Sequence, residues 1–242
     1  MKKLACGASL GVFLMAMGSA QAGEMMAPPM GWSGEGTFSA GRTAGNTDTT
    51  DISGGLKLNG LFGDWGLKAL ALAEYGKNAA IETRSRMFFS GQGEYNLTDR
   101  IFLYGRGSYE NDKFSGFDNR MFLGTGAGYK VLLGSDVTWT LAGGPGWRRD
   151  VIQLTGVTNS SFGFRVGSNF LYKFNENVSF SNDTEYVTSN VSNQLINIAA
   201  ITSKLFGALA ARASFEVRNE SSPQFGRKAT DTFTRFSLVY GF

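Results

Sequence analysis

Arginine and carboxylate side chains recur at alternate positions along much of this chain, and their types limit the chemistry open to it. Arg84, Arg86, Arg106, Arg120, Arg148, Arg165, Arg212, Arg218 and Arg235 share one parity of their segments with Glu74, Glu94, Glu110, Asp183, Glu185 and Glu216. In extended chain a period of two sends these groups to one face and the intervening apolar residues to the other. Such a charged face can line a narrow water-filled passage, in which an excess of arginine favours small anionic solutes. It can equally fill an interior with ion pairs that satisfy one another. Catalysis has less to work with. No histidine occurs, so no imidazole base is available, and an enzyme would have to use carboxylates such as Glu110 with Asp112 or Asp183 with Glu185. Asn46 to Asp51 misses the EF-hand spacing, and no zinc-type ligand cluster is present, so no cofactor or metal is expected. Gly124, Gly126 and Gly128 lack the G-x-G-x-x-G spacing of a dinucleotide site. On one face of a strand they would make room for a bulky neighbour.

The N-terminus reads as an export signal. Lys2 and Lys3 precede an apolar run from Leu4 to Ala16, and Ala20-Gln21-Ala22 is a small-x-small pattern, so cleavage is expected after Ala22. Cys6 would leave with residues 1–22, and the mature chain would carry no thiol. Losing Lys2 and Lys3 leaves 21 basic against 20 acidic groups, a net charge of +1 instead of +3. Nothing in that balance points to a nucleic-acid partner.

The elements that position the charges read as strands. Trp65, Leu67, Ala69, Ala71, Ala73 and Tyr75 alternate, as do Met121, Leu123, Ala127, Tyr129 and Val131, and about twelve such segments follow one another from Gly31. Short turns (Gly63-Asp64, Gly134 to Asp136, Asn175 to Asn177) alternate with longer polar stretches (Asn111–Asp118, Asp150–Asn159, Asn219–Thr230). That rhythm suits an up-and-down barrel with turns at one rim and loops at the other. Trp32, Trp65, Tyr95, Tyr129, Trp139 and Tyr172 fall toward the turn ends, and Tyr75, Tyr109, Trp147 and Tyr186 toward the loop ends, all with apolar parity. Two aromatic girdles are what a lipid-facing wall requires. The last strand carries Phe236, Leu238, Tyr240 and the terminal Phe242 on one face, which resembles the signal read by the outer-membrane barrel-assembly machinery. An open sheet edge in hydrocarbon would leave backbone groups unpaired at several kcal/mol each, so such strands must close. Pro145 fits poorly and suggests a bulge or early strand end, and Gln194 to Thr202 has ambiguous parity. Gly91 and Gly93 would meet Gly105 and Gly107 across a hairpin, leaving a shallow groove on the outer wall.

Trp32-Ser33-Gly34, Gly45-Asn46-Thr47, Tyr109-Glu110-Asn111-Asp112 with Phe114, Gly124 to Tyr129, Pro223, Asp231 and Tyr240-Gly241-Phe242 resemble the salt-induced outer-membrane protein family (YdiY-like), whose function is unknown. The resemblance implies an outer-membrane location and induction by salt, and it supplies no catalytic or binding residues. The expectation is therefore an all-β, up-and-down antiparallel transmembrane β-barrel over residues 31–242, behind a signal peptide (1–22) and a short periplasmic lead-in (23–30). Its role is read as a non-enzymatic envelope or stress component acting as a narrow diffusion channel. An anion-favouring channel for small acidic solutes and an enzyme using carboxylates are the alternatives. Its expected partners are outer-membrane lipid, the assembly machinery and a small anionic solute.

Overall fold

Twelve antiparallel strands form one closed barrel. They are β1 (Gly31–Ala44), β2 (Thr49–Phe62), β3 (Trp65–Asn78), β4 (Ile81–Asn96), β5 (Ile101–Asp112), β6 (Phe117–Leu133), β7 (Val137–Ile152), β8 (Thr158–Lys173), β9 (Val178–Val187), β10 (Gln194–Phe206), β11 (Leu209–Glu220) and β12 (Thr230–Gly241). The computed structural model describes residues 31–44, 49–78 and 81–242. The expected signal peptide and lead-in lie outside the described residues. Each strand pairs with its sequence neighbours, and β12 returns to β1. There Leu238 lies opposite Phe38 and Phe236 opposite Ala40. Gly34 and Phe242 exchange backbone hydrogen bonds of 2.7 and 2.9 Å, so the terminal residue itself completes the closure.

Alternation builds an inside-out protein. The buried side chains are mostly polar or charged, while Trp65, Phe89, Leu123, Phe164, Phe236 and Tyr240 lie exposed on the outer wall. Gly63 and Gly207 adopt φ of 59° and 56° in the tight turns after β2 and β10, a conformation that matches the twist of the flanking strands at no steric cost to glycine.

Four local readings are corrected or settled by the register. Pro145 neither bulges nor ends β7, which continues to Ile152. It lies opposite Phe164 of β8, and the ladder to β6 is interrupted beside it, where proline has no N–H to give. A register shift between Lys130 and Leu132 puts Leu132, not Val131, opposite the outward Trp139. In β10, Leu195, Asn197, Ala199 and Ile201 pair with outward residues, whereas Ile196, Ile198 and Thr202 pair with inward ones. Strands also run further into the expected loops. β5 reaches Asp112, β7 passes Asp150 and β11 reaches Glu220. Polarity in these stretches reflects a polar lumen, not a loop.

Candidate functional site

The inward side chains toward the loop end assemble into one guanidinium–carboxylate mass. Glu74 of β3 is its hub, paired with Arg84 and Arg86 of β4 and with Arg235 of β12 at 2.9 Å. Arg84 also faces Asp112, and Arg86 reaches Glu110. Arg218 holds Glu110 and Glu216, while Arg235 spans Glu216 at 2.8 Å and Asp51 at 3.6 Å. Thr43 donates a 2.7 Å hydrogen bond to Asp51 from the neighbouring strand. Beside this group, Arg120 and Arg148 share Asp150 and Glu220. At mid-strand, Arg106 and Arg165 converge on Glu185. The three groups hold four arginines with five carboxylates, two with two, and two with one. Within these three groups, eight positive and eight negative charges therefore cancel.

An aromatic ring organises part of this mass. Phe233 is buried to 1% exposure with the guanidinium carbons of Arg84, Arg218 and Arg235 at 4.7, 5.0 and 4.8 Å from its centroid. The negative faces of the ring attract cations at this range, while the guanidinium donors reach carboxylates. Arg120 packs in the same manner at 3.6 Å from Phe117. The side chains of Glu74, Asp51 and Asp150 are 0–1% exposed, so water does not reach them.

The turn end of the lumen is arranged differently. Arg212 makes a bidentate pair with Glu35 at 2.9 and 3.0 Å and donates to Thr202. Lys68 pairs with Glu94 while its own side chain stays 52% exposed. Lys130 donates to Asn96, and Asn169 to Asp183. On the β5–β7 side, Phe102 and Tyr104 form a buried wedge with ring centroids 6.5 Å apart, and Phe122, opposite Arg148, is buried further toward the loop end. A side chain at Gly128 would enter the Phe102 ring, and one at Gly124 or Gly146 the Phe122 ring, so these glycines are the sockets of the two rings. Leu70, inward by register with Ser90, remains 37% exposed, so water enters at this level.

Every arginine and carboxylate singled out from the alternation points into the lumen. Arg84, Arg86, Arg120, Arg148, Arg218 and Arg235 join Glu74, Glu110 and Glu216 toward the loop end, and Arg106 and Arg165 join Glu185 at mid-strand. Arg212, Glu94 and Asp183 lie in the turn-end pairs. The carboxylates proposed for catalysis are engaged: Glu110 by two arginines, Asp183 by Asn169. No cluster of metal-ligating side chains occurs among the described residues. Asp112, Asp150 and Glu220 were hidden in stretches read as loops, and they turn an apparent arginine excess into balance. Phe233 and Phe102 share the parity of the charges on their strands, and an aromatic on the charged face was the available signal for both. On the outer wall, Gly91 faces Gly107 and Gly93 faces Gly105, and a groove of about 430 Å³ opens between Leu56, Ala71, Phe89 and Tyr109.

A family model described as "Protein of unknown function, DUF481" matches residues 36–242. The chain belongs to this family. The uncharacterized protein YdiY of Escherichia coli (strain K12) is 27% identical to this chain over 156 residues, which cover 62% of this chain and 59% of that protein. The DUF481 barrel is also similar to solved structures at low identity. The NanC porin aligns with a TM-score of 0.59 at 12% identity, covering 85% of this chain and 98% of that one. An outer-membrane channel from Pseudomonas putida F1 gives 0.55 at 12%, covering 93% and 100%. The translocator domain of the autotransporter NalP from Neisseria meningitidis gives 0.55 at 9%, covering 89% and 90%. These likenesses show a porin-like barrel fold.

Proposed function

We propose that this DUF481 protein is a non-enzymatic outer-membrane barrel whose lumen is a narrow passage held closed at its loop end by the arginine–carboxylate mass. The charge balance of that mass carries the proposal. Eight guanidiniums and eight carboxylates between the loop end and mid-strand neutralise one another, with side chains from 0% exposed at Glu74 to 26% at Glu185, which is how a plug is built. The outer wall supports membrane placement. Large contiguous apolar surface is rare on soluble monomers, and here Trp32, Phe38, Leu67, Phe89, Leu123, Phe164 and Phe236 form a belt around the barrel. The turns then face the periplasm and the loops the exterior, with Phe236 to Phe242 as the strand offered to the assembly machinery. Steady current is expected to be absent or small for purified protein in planar bilayers. Combined Arg86→Ala, Arg218→Ala and Arg235→Ala should open a stable conductance by removing three guanidiniums from the plug. Large steady current through the unaltered protein would refute the closed state.

The turn-end vestibule favours a second reading, a channel for small anionic solutes. There Lys57, Lys68, Lys130 and Arg212 outnumber Glu35, Glu94 and Asp183 on the inward face. Reversal potentials of the opened variant in a salt gradient test it: removing three guanidiniums leaves the loop end with surplus carboxylates, so an anion preference there must come from the basic vestibule, and a cation preference overturns this second reading. The salt-induced envelope role is tested by following the protein's abundance after a shift to high sodium chloride.

A further inference from the structure

The outer wall is apolar between its girdles except at Thr125 of β6, whose hydroxyl is taken up by the Tyr104 carbonyl at 2.8 Å, and on one further side. In β9, the five outward residues are Val178, Phe180, Asn182, Thr184 and Tyr186, so Asn182 occupies the centre of the wall. Asn197 of β10 lies outward beside it, opposite Thr184, and Ser168 of β8 stands on Thr184's other side. Asn182 and Asn197 are the only carboxamides at mid-wall on the outer face among the described residues. Asn197 donates to Thr184 at 2.7 Å and to Asn182 at 3.2 Å, and Asn182 donates to Asn197 at 3.3 Å. Thr184 also donates to Asn182, at 3.4 Å. A carboxamide carries two N–H donors and an oxygen with two lone pairs. One N–H of Asn182 and one lone pair of Asn197 thus remain, a donor and an acceptor side by side.

At the middle of an apolar band about 25 Å tall, lipid headgroups stand too far away to reach these groups. An unmet amide in hydrocarbon is costly, and between transmembrane helices such groups find partners by hydrogen bonding across the contact. A two-fold axis along the membrane normal brings each residue of a second copy to the same depth, and a face with one donor and one acceptor complements itself under that symmetry. We propose that the β8–β10 wall is the contact face of a symmetric dimer of this chain, in which Asn182 of each protomer donates to Asn197 of its partner. Phe170, Phe180 and Ile201 on the turn side and Val166 and Leu195 on the loop side surround the amides with apolar surface, as an interface core requires.

The inference rests on the membrane placement above, and its test separates the two. Heat-modifiable gel mobility and dependence on detergent report the membrane barrel; association is read independently in lipid bilayers. In a Cys6→Ala background, Asn182→Cys should give a disulfide-linked dimer on mild oxidation, while Ala71→Cys on the opposite wall should not. Asn182→Val with Asn197→Val should weaken dimerisation at least tenfold by subunit photobleaching, with gel mobility unchanged. Folded, inserted protein that stays monomeric at every protein-to-lipid ratio overturns the dimer. So does a double variant that associates like the unaltered chain, or Asn182→Cys that crosslinks only to a different protein.

Discussion

The two ends of the lumen share one wall, one alternation and the same residue types, yet they use charge in opposite ways. At the loop end, Glu74 is 0% exposed and meets three arginines from two strands, and each arginine meets further carboxylates. At the turn end, Lys68 and Glu94 form a pair of their own, with the lysine half in water. A charge removed from the first region strands several buried partners in low dielectric, whereas one removed from the second is replaced by solvent. Burial and sharing, not charge count, separate a plug from a wetted surface.

That contrast can be broken experimentally, beginning with its hub. Glu74→Leu should cost about 3–5 kcal/mol by urea unfolding monitored through gel mobility, because it leaves Arg84, Arg86 and Arg235 without their common partner. An effect under about 1 kcal/mol would mean that water already enters the network. Gly128→Leu should cost about 1–3 kcal/mol by forcing the Phe102 ring from its socket, and it should also change access to the vestibule for a water-soluble thiol reagent at a Leu70→Cys reporter. Phe233→Leu keeps the charges and removes the ring beneath three guanidiniums, with an expected loss of about 1–2 kcal/mol. Lys68→Gln should fall within about 1 kcal/mol. Raising salt to about 1 M, where the screening length is near 3 Å, should erase even that difference while leaving the Glu74→Leu penalty largely intact.

Much of the wall was legible before any coordinates. A period of two assigns each side chain to a face once the strand is recognised, and for that reason Trp65, Trp139 and Tyr240 stand outward and Arg86, Glu110 and Arg235 inward. The facing glycines Gly91 and Gly107 followed from the length of one hairpin connection. Strand ends were less legible. Polar residues such as Asp112, Asp150 and Glu220 look alike in a loop and on a strand facing a polar lumen. The mixed pattern of β10 is ambiguous for a related reason: Ile196 points inward and Asn197 outward, against the general rule, and only pairing with β9 and β11 fixes which is which.

Sequence by itself determined the antiparallel barrel and the face of the charges within its clearly alternating segments, because a period of two acts locally along the chain. Tertiary structure alone decided which charges share partners. Arg235 and Glu74 are 161 residues apart and meet at 2.9 Å only when twelve strands close, and Arg120 meets Glu220 across 100 residues in the same manner. Electroneutrality and exclusion of water are properties of that convergence, since the energy of a buried ion depends on how many partners surround it, and chain order alone does not fix that number.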